Sequence, residues 1–567
     1  MFLVLILLAI LVIPHPVLAI YNPLSVPNNR YGIHIVDTND LTDLPALLNT
    51  SGGDWGYVTM VLSDNERDGG RWQTLFNEFR RMHLVPIIRL ATHVEGGVWV
   101  RPTKDRLYEL VTLLNSLNWP TENRYVILYN EPNHAKEWGG TLDPEDYADT
   151  FVLLAKALKA ANEDFFVLPA GLDASSASDG NAMDEAAYLE QMIAARPEIL
   201  TLMDGWTSHS YPNPGFSGSP YARGRGTLGT FDWELGFLRA RGLTRDLPVF
   251  ITETGWEHSE GKSFIGGLLT SDQVAGNIQI AASGIWTDPR IAAITPFLYN
   301  YQDTPFDHFS WRRLGSADMY PMYDAYRNLP KTKGQPKQRE SYILKNDLLP
   351  KKLVAGSTYT LRADMQNTGQ GILSVGDYML TVSDGDTPIP VIVDPLPYLE
   401  PENTGTITIH VQMPNKTGTL QITATLHHND QSVLLQARQV ALVPPPSVEI
   451  RSLLGWRKTG DASNVSVLVY DNNTLLQKFT GLSMKEGIVT ARGLTNIIPG
   501  NPYRVVILVP GYLPRQVIGA LQDKTTTIYP KRFLPLDFSG DGQFSWADIL
   551  VGIQIAPLTV LARFFGP

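Results

Sequence analysis

Between Tyr31 and Leu329 the sequence carries eight short apolar runs, at 32–36, 57–62, 85–90, 125–129, 166–170, 205–209, 249–252 and 294–298. That count constrains the fold more than any other feature. Short runs rich in β-branched and aromatic residues, bounded by turn residues, read as buried strands. The stretches between them, such as 72–82, 106–117, 144–161, 185–195 and 271–283, place apolar residues at spacings of three and four, the helical period. Strands alternating with helices imply a parallel sheet, and eight such units in about 300 residues match the size of a (β/α)8 TIM barrel. The expected class is therefore α/β, with a barrel over residues 20–335.

After Lys331 the texture changes. Residues 331–340, KTKGQPKQRE, are polar and helix-poor and read as a flexible linker. Alternating runs at 358–365, 377–382, 406–413 and 419–426, separated by Gly, Asn, Asp and Pro turns, predict an Ig-like β-sandwich module over 341–445. Pro444-Pro445-Pro446 forms a stiff joint, and runs at 465–471, 488–490, 504–509 and 525–528 predict a second β module over 446–532. Residues 533–567 form a short terminal segment.

Composition narrows the chemistry. Among 567 residues the net charge is -11, and no long basic run is present, which argues against nucleic acid as a partner. The absence of cysteine excludes disulfides, thiolate metal sites and cysteine nucleophiles together. At the N-terminus an apolar core from Phe2 to Ile13, followed by Val17-Leu18-Ala19, fits a signal peptide over 1–19 and hence a secreted or extracellular protein. No Lys or Arg precedes that core, so an uncleaved anchor remains an alternative.

Two strands end in carboxylates. The run at 125–129 stops at Asn130-Glu131-Pro132-Asn133, and the run at 249–252 stops at Glu253. Alone, the first reads as a solvated turn after an ordinary strand. Together, on the fourth and seventh strands of one barrel, the two carboxyls would flank a single substrate bond at the catalytic end. Glycosidic hydrolysis needs a proton for the leaving oxygen and a nucleophile for the anomeric carbon, so two carboxyls in different environments suffice. A separation of about 5–5.5 Å would give retention of configuration through a covalent glycosyl-enzyme. Arg89, near the end of strand three, could keep Glu253 ionised or make an ordinary salt bridge. His34 ends strand one. Trp256 and Tyr299 are candidate sugar-stacking platforms or core residues.

With Asn130-Glu131-Pro132, Thr252-Glu253-Thr254-Gly255-Trp256 and Ser208-His209-Ser210-Tyr211-Pro212, the first 300 or so residues resemble the clan of (β/α)8 retaining glycoside hydrolases that includes families 5, 39, 17 and 53. The resemblance implies Glu131 as acid/base, Glu253 as nucleophile, Asn130 on the sugar 2-hydroxyl, and Tyr211 with His209 beside the nucleophile. It implies a secreted retaining β-glycosidase, without a catalytic cofactor, acting on a polysaccharide or oligosaccharide. A non-catalytic carbohydrate-binding or surface-adhesion protein on the same scaffold is the alternative.

The stretch 537–548, DFSGDGQFSWAD, follows calcium-loop spacing, with Asp537, Ser539, Asp541, the Gln543 carbonyl and Asp548 as ligands and Gly542 at the sharp turn. It resembles one half of a dockerin. A single copy puts a cohesin-type partner in doubt and leaves a structural Ca2+ as the expectation.

Overall fold

The computed structural model describes residues 20–555 apart from 456 and 458; the expected signal segment 1–19 and residues 556–567 lie outside the described residues. The chain divides into two compact units, 1–339 and 340–567. Among the described residues no helix is long and apolar enough to cross a membrane.

In the first unit eight strands alternate with helices. They are β1 (Gly32–His34), β2 (Gly56–Ser63), β3 (Leu84–Ala91), β4 (Arg124–Leu128), β5 (Phe165–Pro169), β6 (Trp206–His209), β7 (Val249–Glu253) and β8 (Ile291–Ile294). The helix that follows each is α1 (Leu44–Leu48), α2 (Gly69–Arg81), α3 (Lys104–Ser116), α4 (Pro144–Ala161), α5 (Glu185–Ala195), α6 (Thr230–Arg239), α7 (Ser271–Ser283) and α8 (Pro321–Arg327). Strands β1 to β5 form one parallel sheet in sequence order, and β6 to β8 form another. The sheets adjoin at both edges. Tyr31 and Ile294 make a parallel bridge at one seam, and Asp173 and His209 make one at the other.

Alternation along the strands explains why the sheet is covered on both faces. Val58, Met60, Ile88, Val126, Val167, Val249 and Ile251 join the large core shared with the helices. Their neighbours Tyr57, Val85, Ile87, Tyr125, Ile127, Phe166, Leu168 and Phe250 form a separate core on the opposite face. A side-chain period of two delivers both sets from the same runs. The helices dock through faces such as Trp72, Leu75, Phe76 and Phe79 of α2, spaced three and four apart. Asp68 caps α2, and Thr270 with Gln273 forms a capping box on α7.

Two expectations need correction. The eighth strand runs Ile291–Ile294, earlier than the apolar run at 294–298, because its ladder with β7 begins at Ile291 opposite Val249. Residues 331–339 are not a free linker. Lys333 bridges Asp54, Gly334 N–H donates to Asp54 O, Gln335 N–H to Pro27 O, and Lys337 N–H to the Tyr21 hydroxyl. A Cβ on Gly334 would lie 2.6 Å from Asp54 O, so this polar strip is bound to the first unit by close backbone approach.

In the second unit a sheet containing Thr358–Asn367 and Thr404–Gln412 and a sheet containing Gly418–His428 and Gln431–Val443 contribute to one core. A further pair of sheets, built on Ser447–Arg451 and on Ala462–Asp471 with Pro502–Leu508, contributes to another. Phe533 is buried in that second core and bridges Leu454, so the module extends past residue 532. Helix Trp546–Ile555 begins within the last three residues of the expected calcium loop.

Candidate active site

The inward face of the first sheet changes character toward its C-terminal end. Along β3, Val85 and Ile87 are inner-core residues, and Arg89 continues the same parity. His209 follows likewise on β6, whose Trp206 faces the helices. Glu253 does not follow: parity would set it beside Val249 and Ile251. The β6–β7 ladder pairs Ser208 with Ile251 but His209 with Glu253, skipping Thr252, and this bulge turns the carboxylate inward. At the end of β4 the turn is made by left-handed backbone at Tyr129 (φ 75°) and Glu131 (φ 32°), a conformation that non-glycine residues hold only when their surroundings enforce it. Glu131 N–H donates to Gly171 O (3.1 Å), and Pro132 and Asn133 are buried.

These elements converge on one cluster. A carboxylate oxygen of Glu131, a ring nitrogen of His209 and a carboxylate oxygen of Glu253 all lie within 4.8 Å of one another. His209 Nδ1 is 2.8 Å from Glu131 Oε1 and 3.8 Å from Glu253 Oε2. Tyr211 OH donates to Glu253 Oε2 (3.1 Å), and Arg89 donates both to Glu253 Oε1 and to Asn130 Oδ1 (2.7 Å). His34 Nδ1 stands 3.7 Å from Glu253 Oε1, and neither of its ring nitrogens has a hydrogen-bond partner among the described residues. Arg89 occupies the Asn130 oxygen, and the Asn130 side chain also hydrogen-bonds the Glu137 carboxylate, which fixes the amide.

The electrostatics separate the groups. Burial pushes the Glu253 carboxyl up, but His209, Arg89 and His34 outweigh it and hold it at about 2, so it is ionised at neutral pH. Burial pulls His209 down, yet Glu253 and the hydrogen bond to Glu131 raise it above the ordinary histidine value. His34, with burial and Arg89 acting together, is lowered to about 3 and is neutral. Burial followed by Glu253 and Glu131 raises the Tyr211 phenol well above its usual value, which keeps it a hydrogen-bond donor.

The cluster thus joins Glu131, Glu253, Asn130, Arg89, His209, Tyr211 and His34. Trp256 and Tyr299 are placed elsewhere. Gly255, at φ 137°, turns the chain so that Trp256 is buried in the helix-side core, its Nε1 donating to Gly218 O (2.9 Å). Tyr299 lies beyond the early end of β8, in the same core, with its hydroxyl toward Asp43 (3.4 Å). Phe297 meets the cluster as well, edge-on to His34 at 5.2 Å between ring centroids. It stood inside an apolar run, where nothing marked it. Asn133 was also passed over, although it ties the turn after β4 to the segment after β5. Its Nδ2 donates to Asp173 O (3.0 Å) and Met183 O (3.1 Å), and its Oδ1 accepts from Asp173 N–H (3.2 Å).

In the second unit, carboxylate oxygens of Asp537, Asp541 and Asp548 lie within 4.8 Å of one another. Asp548 is buried, with Ser539 N–H and hydroxyl donating to its Oδ1 and Ser545 N–H to its Oδ2. Gln543 N–H donates to Asp541 Oδ1, and Gly540 and Gly542 are left-handed. Three hard oxygen donors at this spacing fit a calcium ion, with the Ser539 hydroxyl directed at Asp548.

No family model matches the sequence, and no curated protein does. Among solved structures, a family 39 glycoside hydrolase from Bacteroides cellulosilyticus WH2 aligns at 13% identity and a TM-score of 0.39, covering 70% of this chain and 82% of that one. A β-mannanase from Thermomonospora fusca aligns at 14% and 0.33, covering 52% and 87%. An endo-1,4-β-mannanase from Eisenia fetida aligns at 12% and 0.33, covering 54% and 91%. Likenesses this faint establish neither family nor activity; the functional assignment rests on strand register and on the carboxylate cluster.

Proposed function

We propose that the first unit is a closed (β/α)8 barrel and a secreted retaining β-glycosidase acting on a polysaccharide or oligosaccharide. The observation that carries this reading is the approach of Glu131 and Glu253 to within 4.8 Å, with His209 between them. So close an approach suits double displacement, whose carboxyls stand about 5–5.5 Å apart, better than inversion, whose pair stands about 6.5–9.5 Å apart.

Glu253, ionised and held by Arg89 and Tyr211, attacks the anomeric carbon, while Glu131 protonates the departing oxygen. His209 occupies Oε1 of Glu131, which leaves Oε2 as the atom that carries the proton. Once Glu253 is esterified its charge is gone. Glu131, 2.8 Å from His209 Nδ1, then takes a proton from the attacking water as general base. The Asn130 amide meets the sugar 2-hydroxyl, a contact that strengthens in the transition state. His34, fully buried and edge-on to Phe297, backs the nucleophile with its Nδ1 3.7 Å from Glu253 Oε1.

The pairs of sheets in the second unit are read as β-sandwich spacer or weak binding modules, and the loop at 537–548 as a structural calcium site. Glu253→Ala tests the reading: hydrolysis of an aryl β-glycoside falls by more than about 10⁴-fold, and azide restores turnover with inverted product. Wild-type activity in that variant would sink the assignment.

A further inference from the structure

Beside Glu131 stands a polar cluster that the double displacement does not use. His134 follows on the same turn, its N–H donating to Glu131 O (2.9 Å). Its Nε2 lies 2.9 Å from Asp173 Oδ2 and 3.2 Å from Ser176 Oγ. Ser176 Oγ donates to the same Asp173 oxygen (2.5 Å), while Asp173 Oδ1 accepts from Ser175 N–H (2.8 Å) and Ser175 Oγ (2.7 Å). His134 Nδ1 has no protein partner among the described residues. The hydrogen bond to Asp173 raises His134 above the ordinary histidine value.

The arrangement is not a nucleophilic triad. A triad places the acid on one imidazole nitrogen and the serine on the other. Here both meet Nε2, and the serine proton is directed to the acid. What remains is a rigid display of donors and acceptors, with the His134 and Asp173 side chains 21% and 26% exposed, enough for a ligand to reach.

Its placement selects the ligand. The cluster belongs to the segments after β4 and β5, and Asp173 bridges His209, the residue bonded to Glu131. Of the two carboxylates, Glu131 is the one whose charge acts on His134. The acid/base faces the leaving group, so polar groups that flank Glu131 are placed to face the leaving group as well. We propose that His134, Asp173 and Ser176 seat the sugar on the leaving-group side of the scissile bond, which makes the natural aglycone a hydroxyl-rich saccharide rather than an aryl or alkyl group. This rests on the hydrolase reading.

The test compares substrates in the full-length protein. Among gluco-, manno-, xylo- and galacto-configured 4-nitrophenyl β-glycosides, one that the wild type turns over is paired with the matching β-linked trisaccharide. In His134→Ala, kcat/KM on the trisaccharide is expected to fall roughly 10- to 100-fold further than on the aryl glycoside, mostly through KM, as the loss of a buried hydrogen bond to substrate implies. Addition of the free sugar to the aryl reaction is expected to divert less glycosyl-enzyme to transfer product than in the wild type. Ser176→Ala, a milder change, should show the same pattern more weakly and serves if His134→Ala fails to fold. Equal losses on both substrates, or unchanged trisaccharide kinetics and transfer, would overturn the subsite while leaving the hydrolase reading intact. A wild type that turns over neither substrate class would overturn both.

Discussion

A single carbon at Gly171 would disturb the site: a Cβ there would lie 2.3 Å from His209 Cδ2 and 2.5 Å from Nε2. The His209 ring lies flat against that backbone, so Gly171→Ala displaces the imidazole from Glu131. A shift of about 1 Å at such a position costs on the order of a hundredfold in rate. Steady-state kinetics with an unchanged far-ultraviolet spectrum checks this. Arg89→Met removes one of the cations that hold Glu253 down, so the acid limb of kcat/KM moves to higher pH, read from a pH–rate profile. Glu253, depressed to about 2 from a free value of about 4.3, gives stability that is present above the free value and lost as pH falls toward 2. His209, raised, gives stability that is present below about 6.5 and lost as pH rises through its folded value. Glu253→Gln is therefore expected to shallow the acid flank of a thermal-unfolding profile, and His34, neutral and buried, supplies part of what remains. At this scale the sequence was legible where polar residues interrupt an apolar run, as at Arg89, Asn130, Glu131, His209 and Glu253. It was opaque for aromatics: Trp256, Tyr299 and Phe297 differ in placement for reasons of backbone path that composition does not encode.

Strand counting placed Glu131 on the fourth strand and Glu253 on the seventh, and both positions agree with the ladders. The order of elements follows from periodicity, but their ends follow from hydrogen bonding. The offset of β8 and the bulge that re-aims Glu253 are pairing events between strands, invisible in either strand alone. The short helices α1 and α8 and the helix α6 carry too little periodic signal to be read in advance. The junction between the turn after β4 and the segment after β5 depends on Asn133, which is fully buried and makes three hydrogen bonds across it. Asn133→Ala leaves those backbone groups unpaired and is expected to cost about 2–4 kcal/mol, seen as a lowered unfolding midpoint together with reduced activity, because Glu131 sits on the same turn.

For the whole molecule, composition indicated an α/β part followed by β modules, and the chain divides into units at 339. The strip 331–339 was misread because Lys, Gly, Gln and Pro suit a linker and a bound extended strand equally well. Residues 20–339 expressed alone are expected to keep hydrolysis of small aryl glycosides, whereas ending the chain at 330 removes the bonds from Lys333, Gln335 and Lys337 and lowers its unfolding midpoint. Calcium is expected to raise the unfolding temperature of the second unit, and Asp541→Asn to reduce that gain, as differential scanning calorimetry would register. The central claim is a covalent intermediate on Glu253, and a 2-deoxy-2-fluoro β-glycoside of a sugar the enzyme hydrolyses would trap it. Mass spectrometry of the digested protein should find the added sugar on Glu253, within the peptide containing 249–256. A label on any other residue, or an inverted product from the wild-type reaction, would contradict it.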